Sequence, residues 1–195
     1  GNPVRAEILS RKNSIYTPPG DWPLTIFIVG GSQSADIFGH IVPKSLLKLS
    51  EKLRFRLRVY FQARKELKEM VMSELQKAGV RFEVSEFFDD ISEKIANSQL
   101  IISRAGASTL SEIAIIGRPS ILVPLPTAKD DHQNKNALAM EAAGASIVIR
   151  QEDFSPDNLS KELENFFSSP SQAEDMAAGA LNFSKPRASE NFGLL

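Results

Sequence analysis

The sequence predicts one α/β domain in which six strands form a parallel sheet with helices on both faces. Three observations predict it. Six short apolar runs recur along the chain, each about the length of a buried strand. Stretches of helical spacing lie between them, several ending in glycine, and strands alternating with helices build βαβ units and hence a parallel sheet. The 195 residues are 42% hydrophobic and 24% charged, an ordinary composition for a globular domain and enough chain for a core without staples.

In chain order, residues 1–23 are polar and rich in turn formers (Pro18, Pro19, Gly20, Pro23) and read as a linker or docking segment. The run at 24–29, LTIFIV, is a buried strand that ends at Gly30-Gly31. Helical spacing follows over 35–49, where Gly39 and Pro43 predict a kink or restart. Residues 56–61 alternate as a half-exposed strand, with Arg54, Arg56 and Arg58 expected on one face. Leu67, Val71, Leu75 and Ala78 share a helix face, and Gly79 suits its C-terminal cap. The third strand is 80–85. Asp89 and Asp90 are cap candidates for a helix reaching about Asn97. Strand four at 100–103 precedes a helix over 108–116 closed by Gly117. Strand five at 120–124 precedes a helix over 132–143 closed by Gly144, and strand six is 145–150. Helices over 156–168 and 171–182 finish the domain, which spans 24–183. Lys185-Pro186-Arg187 is expected to interrupt any helix and leave 184–195 as a tail.

Composition excludes several classes of function. There is no cysteine, so no disulfide, thiolate nucleophile or Cys-ligated zinc. His40 and His132 are the only histidines, which speaks against a multi-histidine metal site, and no cofactor is expected. A net charge of −1 gives no sign of a nucleic-acid partner. No apolar run approaches the roughly 18 residues of a membrane span. The chain starts at Gly1 with no signal-peptide pattern, and it reads as a processed protein or a piece of a longer one.

Ligands of an open parallel sheet bind beyond the carboxyl ends of its strands, so the loops there hold the candidates. Gly30-Gly31-Ser32-Gln33-Ser34 is either a phosphate cradle before a helix N-terminus or a plain tight turn. In 103–112, small residues open a helix, and Glu112 either accepts hydrogen bonds from a ribose diol or closes a capping box with Thr109. In the loop 124–136, Asp131 is a cap candidate, and His132, Gln133 and Asn136 line the mouth of a helix. His132 is an acid–base group or a solvated residue. Residues 44–68 carry nine Lys or Arg against two acids, which suits an anionic lipid surface or a solvated face. The pairs Asp89-Asp90 and Asp130-Asp131 are read as helix caps rather than metal ligands.

Taken together, Gly30-Gly31-Ser32-Gln33, the stretch RAGASTLSEIAIIGRPSILVP at 104–124, Lys129-Asp130-Asp131-His132-Gln133-x-x-Asn136-Ala137 and the opening Asn2-Pro3-Val4-Arg5 resemble the C-terminal half of the MurG family. Those bacterial enzymes transfer N-acetylglucosamine from UDP to a lipid-linked muramyl-pentapeptide, converting lipid I to lipid II in peptidoglycan synthesis. The resemblance implies the Rossmann-like C-terminal half of a GT-B glycosyltransferase, with inverting chemistry and UDP-N-acetylglucosamine as its ligand. It places Arg5 at the nucleotide, Ser32 on the diphosphate and the backbone of Phe88 against the uracil. Ala107, Ser108, Thr109, Leu110, Ser111 and Glu112 would wrap the donor, with Glu112 on the ribose, and Gln133 would reach the sugar or diphosphate. Gly31, Gln33 and His132 are further candidates. No residue is expected to be catalytic and none to bind metal. The acceptor would be held by an N-terminal domain absent from this chain, at the cytoplasmic face of the inner membrane as a peripheral enzyme. This piece alone is expected to bind donor and transfer nothing. Two other readings stay open: a separate nucleotide-sugar-binding subunit of a two-chain transferase, and a UDP-sugar epimerase domain.

Overall fold

A computed structural model describes residues 5–192, with side chains through Ser184. The order of elements is α1 (Ala6–Ser10), β1 (Leu24–Val29), α2 (Asp36–Leu47), α3 (Glu51–Arg56), β2 (Leu57–Gln62), α4 (Lys65–Ala78), β3 (Arg81–Ser85), α5 (Ile91–Ala96), β4 (Leu100–Ser103), α6 (Ala107–Ile116), β5 (Ser120–Leu122), α7 (His132–Ala142), β6 (Ser146–Val148), α8 (Pro156–Phe167) and α9 (Pro170–Phe192). The strands form one sheet in the order β3-β2-β1-β4-β5-β6, and every pairing is parallel. Chain order runs outward from β1 in one direction and from β4 in the other. The reversal therefore falls between β1 and β4, where Ile26 pairs with Leu100 and Val29 with Ser103.

A parallel sheet must be covered on both faces, so its central strands are apolar on both. Leu24, Ile26 and Ile28 of β1 join Val59, Phe61, Phe38 and Leu163 in one core, while Phe27, Ile101 and Leu122 join Ile113, Met140 and Ile8 in the other. All four central residues Leu24, Ile26, Phe27 and Ile28 are wholly buried. Each such side chain contributes about 1.5–3 kcal/mol relative to exposure. Gly79, Gly117 and Gly144 have positive φ where the sequence placed helix ends. Ser155 caps α8 by accepting from the Asn158 N–H, with Pro156 opening the helix.

Four local expectations are corrected. α2 runs unbroken through Pro43. A proline inside a helix costs about 3 kcal/mol, and burial of Phe38, Val42 and Leu46 on one face of α2 outweighs it. α3 occupies residues expected to be strand or loop, so Arg54 and Arg56 lie on a helix and only Arg58 lies on β2. The cause is local: Ser50 caps this short helix, accepting from the Leu53 N–H at 3.3 Å. α9 continues past Pro186 to Phe192. One lost N–H donor does not end a helix whose earlier turns are anchored by buried Ala173, Met176 and Ala180. Neither Asp90 nor Asp131 caps its helix through the side chain. Asp90 pairs with Lys94 at 3.1 Å, and Asp131 accepts from the Asn134 amide at 3.2 Å.

The segment before β1 lies on the domain. Ile8 of α1 is buried against the α6 side of the sheet, and Tyr16 donates to the Gln99 carbonyl at 2.8 Å. Arg118, wholly buried, donates to the carbonyls of Ser14, Ile15, Ala96, Ile116 and Gly117. Five carbonyls, rather than a carboxylate, hold this charge, and burial lowers its pKa to about 10.

Candidate functional site

A crevice of about 650 Å³ opens at the carboxyl ends of β1 and β4, where the strand order reverses and where an open sheet leaves room for a ligand. One wall is the loop after β1. A methyl on Gly30 would stand 2.6 Å from the Gln62 carbonyl oxygen, so only glycine lets the loop pass the end of β2. Gly31 takes φ 102°, a conformation that side chains resist. Ser32 and Ser34 reach the crevice, their hydroxyls 2.8 Å apart. Asp36 opens α2 and is gripped by Arg64, Nε to Oδ1 at 2.9 Å and Nη2 to Oδ2 at 2.6 Å. That fork fixes the loop against the end of β2 and holds the Arg64 pKa above its usual value.

The facing wall is the loop after β4 and the start of α6. Gly106 precedes the helix and no side chain caps it, so first-turn N–H groups remain available to an anion. Gly106, Thr109 and Glu112 line the crevice. α6 starts at Ala107, which makes Glu112 a second-turn residue and takes Thr109 away from the cap position. The capping-box alternative is thereby excluded. The Glu112 carboxylate instead receives Arg5: Nε to Oε1 at 2.9 Å, Nη2 to Oε1 at 2.8 Å and Nη2 to Oε2 at 2.9 Å.

Gln133 lines the crevice with its carbonyl already used. Oε1 accepts from the N–H of Ala105 at 3.2 Å and of Leu125 at 3.0 Å, tying the loop after β4 to that after β5. Asn136 adds a bond to the Ala105 carbonyl at 3.1 Å. Phe87 and Phe88 form part of the rim. The Phe88 ring packs inward, 5.5 Å from Phe27 and 6.3 Å from Tyr60, edge to face, whereas Phe87 is 74% exposed.

The structure thus gathers Arg5, Ser32, Phe88, Thr109, Glu112 and Gln133 around one crevice. The rest of the expected set lies off its wall. Leu110 points into the core, because α6 buries that face against the sheet. Ser111 turns back to the Ala107 carbonyl at 2.9 Å. Ala107 and Ser108 sit at the exposed outer start of α6, and neither Gly31 nor Gln33 reaches the cavity wall. His132 is exposed, its Nε2 3.7 Å from Asp130 Oδ2. The preceding Asp130 and Asp131 both have positive φ, and the chain reverses there before α7. Residues 1–4 of the opening motif lie outside the described residues. Among the described residues, no group of three His, Asp or Glu is placed to hold a metal ion.

Four of the nine basic residues of 44–68, Lys48, Arg54, Arg56 and Arg64, are engaged within the fold. Arg54 donates to the Ala78 carbonyl at 3.0 Å, Arg56 to that of Trp22 at 3.1 Å, and Lys48 pairs with Asp157 at 2.9 Å.

Sequence reasoning missed Arg104. Its guanidinium bonds the Ser34 carbonyl at 2.9 and 2.6 Å, the Val123 carbonyl at 3.1 Å and Gln151 Oε1 at 2.6 Å. It therefore joins the loops after β1, β5 and β6 beneath the crevice, and burial lowers its pKa. No local pattern marks it, because its acceptors come from three distant segments.

Comparison with known proteins agrees with this fold. The glycosyltransferase family 28 C-terminal domain matches residues 25–192. The chain is 45% identical over 196 residues to the UDP-N-acetylglucosamine–N-acetylmuramyl-(pentapeptide) pyrophosphoryl-undecaprenol N-acetylglucosamine transferase of Rhizobium meliloti, covering 100% of the chain and 52% of that relative. It is 43% identical over 189 residues to the protein of the same name from Allorhizobium ampelinum, covering 96% of the chain and 51% of the relative. The chain thus spans about half the length of these curated relatives. Among solved structures, the MurG of Acinetobacter baumannii superposes with a TM-score of 0.79 at 29% identity, over 91% of this chain and 53% of that one. On these grounds the chain belongs to the glycosyltransferase family 28 C-terminal domain family, as a MurG-type member.

Proposed function

We propose that the crevice binds UDP-N-acetylglucosamine, and that the chain is the donor half of an inverting glycosyltransferase that converts lipid I to lipid II in peptidoglycan synthesis. The observation that carries this reading is the division of the crevice into an anion-binding side and a carboxylate side. Gly30 and Ser32 of the loop after β1 and Gly106 and Thr109 at the side-chain-uncapped start of α6 line the crevice, and the free N–H groups of a helix start suit a diphosphate. Glu112 presents a fixed carboxylate, which suits a neutral diol through charge-assisted hydrogen bonds. The Phe88 main chain, held by its buried ring, lies where a base edge would be read, and Gln133 lies toward the sugar and diphosphate. As the bond from the anomeric carbon to the diphosphate breaks, negative charge grows on the leaving phosphate. Preorganised N–H donors stabilise that charge. The names of the curated relatives support the donor and the lipid-linked acceptor.

On this reading the acceptor is bound by the half of the enzyme that the relatives possess beyond the aligned region, and the whole works peripherally at the cytoplasmic face of the inner membrane. No described helix is long and apolar enough to cross a membrane. The test is a titration of the chain with UDP-N-acetylglucosamine followed through amide NMR shifts. Saturable shifts concentrated at Gly30, Ser32, Phe88, Gly106 and Glu112 are expected. Shifts scattered away from the crevice, or none at millimolar ligand, would reject the assignment.

A further inference from the structure

Residues 86–90 join β3 to α5, and Phe87, Phe88 and Asp89 of this loop line the crevice. Two side chains hold its first half: Ser85 Oγ donates to the Phe87 carbonyl at 2.6 Å, and Gln62 Nε2 to that of Glu86 at 3.3 Å. The Phe88 N–H donates to no described residue although Phe88 is buried, and a buried N–H normally has a partner. Lys94 of α5 holds the second half. Its ammonium lies 3.1 Å from Asp90 Oδ2 and 3.8 Å from Glu83 Oε2. Glu83 precedes the loop on β3 and Asp90 ends it, so one charge spans both ends. The same ammonium sits 4.1 Å from the centre of the Tyr60 ring and 5.8 Å from that of Phe88, and those two rings meet edge to face. The Lys94 side chain is 15% exposed, and a cation over a ring is held more firmly as water is excluded. Among the described residues, Asp90 is the one acid of the loop in an ion pair.

We propose that Lys94 is a positioning residue for the base subsite: seated on Tyr60 and paired with Asp90 and Glu83, it fixes the loop 86–90 so that the Phe88 main chain meets the base in one orientation. The inference rests on the reading of that main chain as the uracil contact. Lys94 touches no ligand and acts through the loop. A loop already held loses less freedom when a ligand binds, so the clamp adds affinity. It also adds selectivity. Cytosine presents an N4 donor where uracil presents an O4 acceptor, and a main chain held in one orientation tells them apart, whereas a loosened one can turn to suit either.

The experiment compares the intact chain with Lys94→Met, which keeps the length of the side chain but drops its charge, and Lys94→Arg, which keeps the charge and can still stack on Tyr60. Calorimetric titration with UDP and with CDP is paired with amide NMR of the free proteins. Lys94→Met is expected to bind UDP roughly three- to tenfold more weakly, the range that the lost ring contact allows, and to prefer UDP over CDP by a smaller ratio. Its Phe88 amide signal should move while those of Gly30, Ser32 and Gly106 on the other walls stay in place. Lys94→Arg should restore the parent's affinity, ratio and Phe88 signal. Equal losses for UDP and CDP, signals moved on every wall, unchanged UDP affinity in Lys94→Met, or a Lys94→Arg as weak as Lys94→Met each overturn the positioning role. If saturating UDP leaves the parent's Phe88 amide unmoved, the base assignment itself has failed and the role of Lys94 with it; if that amide responds while Lys94→Met binds as the parent does, only the role of Lys94 has failed.

Discussion

Glu112 and Tyr16 show how one side chain can be assigned by what it touches. Glu112 reaches no group of its own helix cap, and its partner is a half-exposed arginine. Such a pair contributes at most about 1 kcal/mol to stability. Glu112→Gln is therefore expected to leave the melting temperature nearly unchanged. Losing a charge-assisted contact costs roughly 1.5–3 kcal/mol, and UDP affinity should fall about ten- to a hundredfold. Calorimetric titration and a thermal melt on the same variant measure both. A stability loss with unchanged affinity would contradict the assignment. Tyr16 gives a prediction in pH. Burial, aided by Glu174, raises its hydroxyl pKa although the nearby Arg118 opposes this. The unfolded chain then releases the Tyr16 proton near pH 10 while the folded chain keeps it. Stability is full below about pH 10 and falls above it, by at most about 1.4 kcal/mol per unit for this group. Urea denaturation between pH 9 and 11 should show Tyr16→Phe losing less stability with pH than the parent. Arg118 titrates in the opposite sense and is common to both proteins.

At the scale of an element, the loop after β1 is defined by close approach. The position of Gly30 leaves 2.6 Å between a new Cβ and a backbone oxygen, which no side-chain rotation relieves. Gly30→Ala should push the loop outward and cost about 1–3 kcal/mol, as overpacking does elsewhere. Because the loop faces the diphosphate in the proposed complex, UDP should lose affinity severalfold while uridine, without phosphates, binds nearly as before. An equal loss for both ligands would mean that the loop supports the whole crevice rather than its anion side. Helix α2 teaches a related lesson. The sequence predicted a kink or restart at Pro43, but one helix runs through it with Phe38, Val42 and Leu46 burying one face, and packing outweighed the local cost. The same short-range reasoning succeeded at Gly79, Gly117 and Gly144, where local conformation and tertiary packing ask for the same residue.

For the whole molecule, the doubly wound order brings loops from both halves of the sheet to one crevice at the β1–β4 boundary. In the proposed complex this crevice is the donor site; Asp89 and Glu112 are the carboxylates that line it, Glu112 being held by Arg5, while His132 is exposed and off the wall. The 195-residue chain is expected to bind UDP-N-acetylglucosamine and to transfer no sugar to a lipid-linked acceptor. A radiolabelled-donor assay checks this, and turnover above background would show that the domain carries catalytic groups of its own. Addition of the remaining half of a full-length relative in trans gives the positive control.

The sequence by itself determined the class of fold, the number of strands and the loops that matter, because apolar periodicity, glycine ends and turn formers act over a few residues. Motif resemblance also supplied six of the residues that line the crevice, Arg5, Ser32, Phe88, Thr109, Glu112 and Gln133. What it left open was decided by contacts between distant segments. Thr109-x-x-Glu112 fits a capping box as a string, and only the start of α6 at Ala107, set by the packing of the whole helix, rules that out. The acceptors of Arg118, and all of those of Arg104 but Gln151 Oε1, are backbone carbonyls, which every residue possesses and no sequence pattern distinguishes. Arg5 and Glu112 stand 107 residues apart, and their bond exists because α1 lies along α6 at the edge of the crevice. Local preferences are written in neighbouring residues, but hydrogen-bond partners for buried charge are assigned by whichever chain segments the sheet brings within about 3 Å.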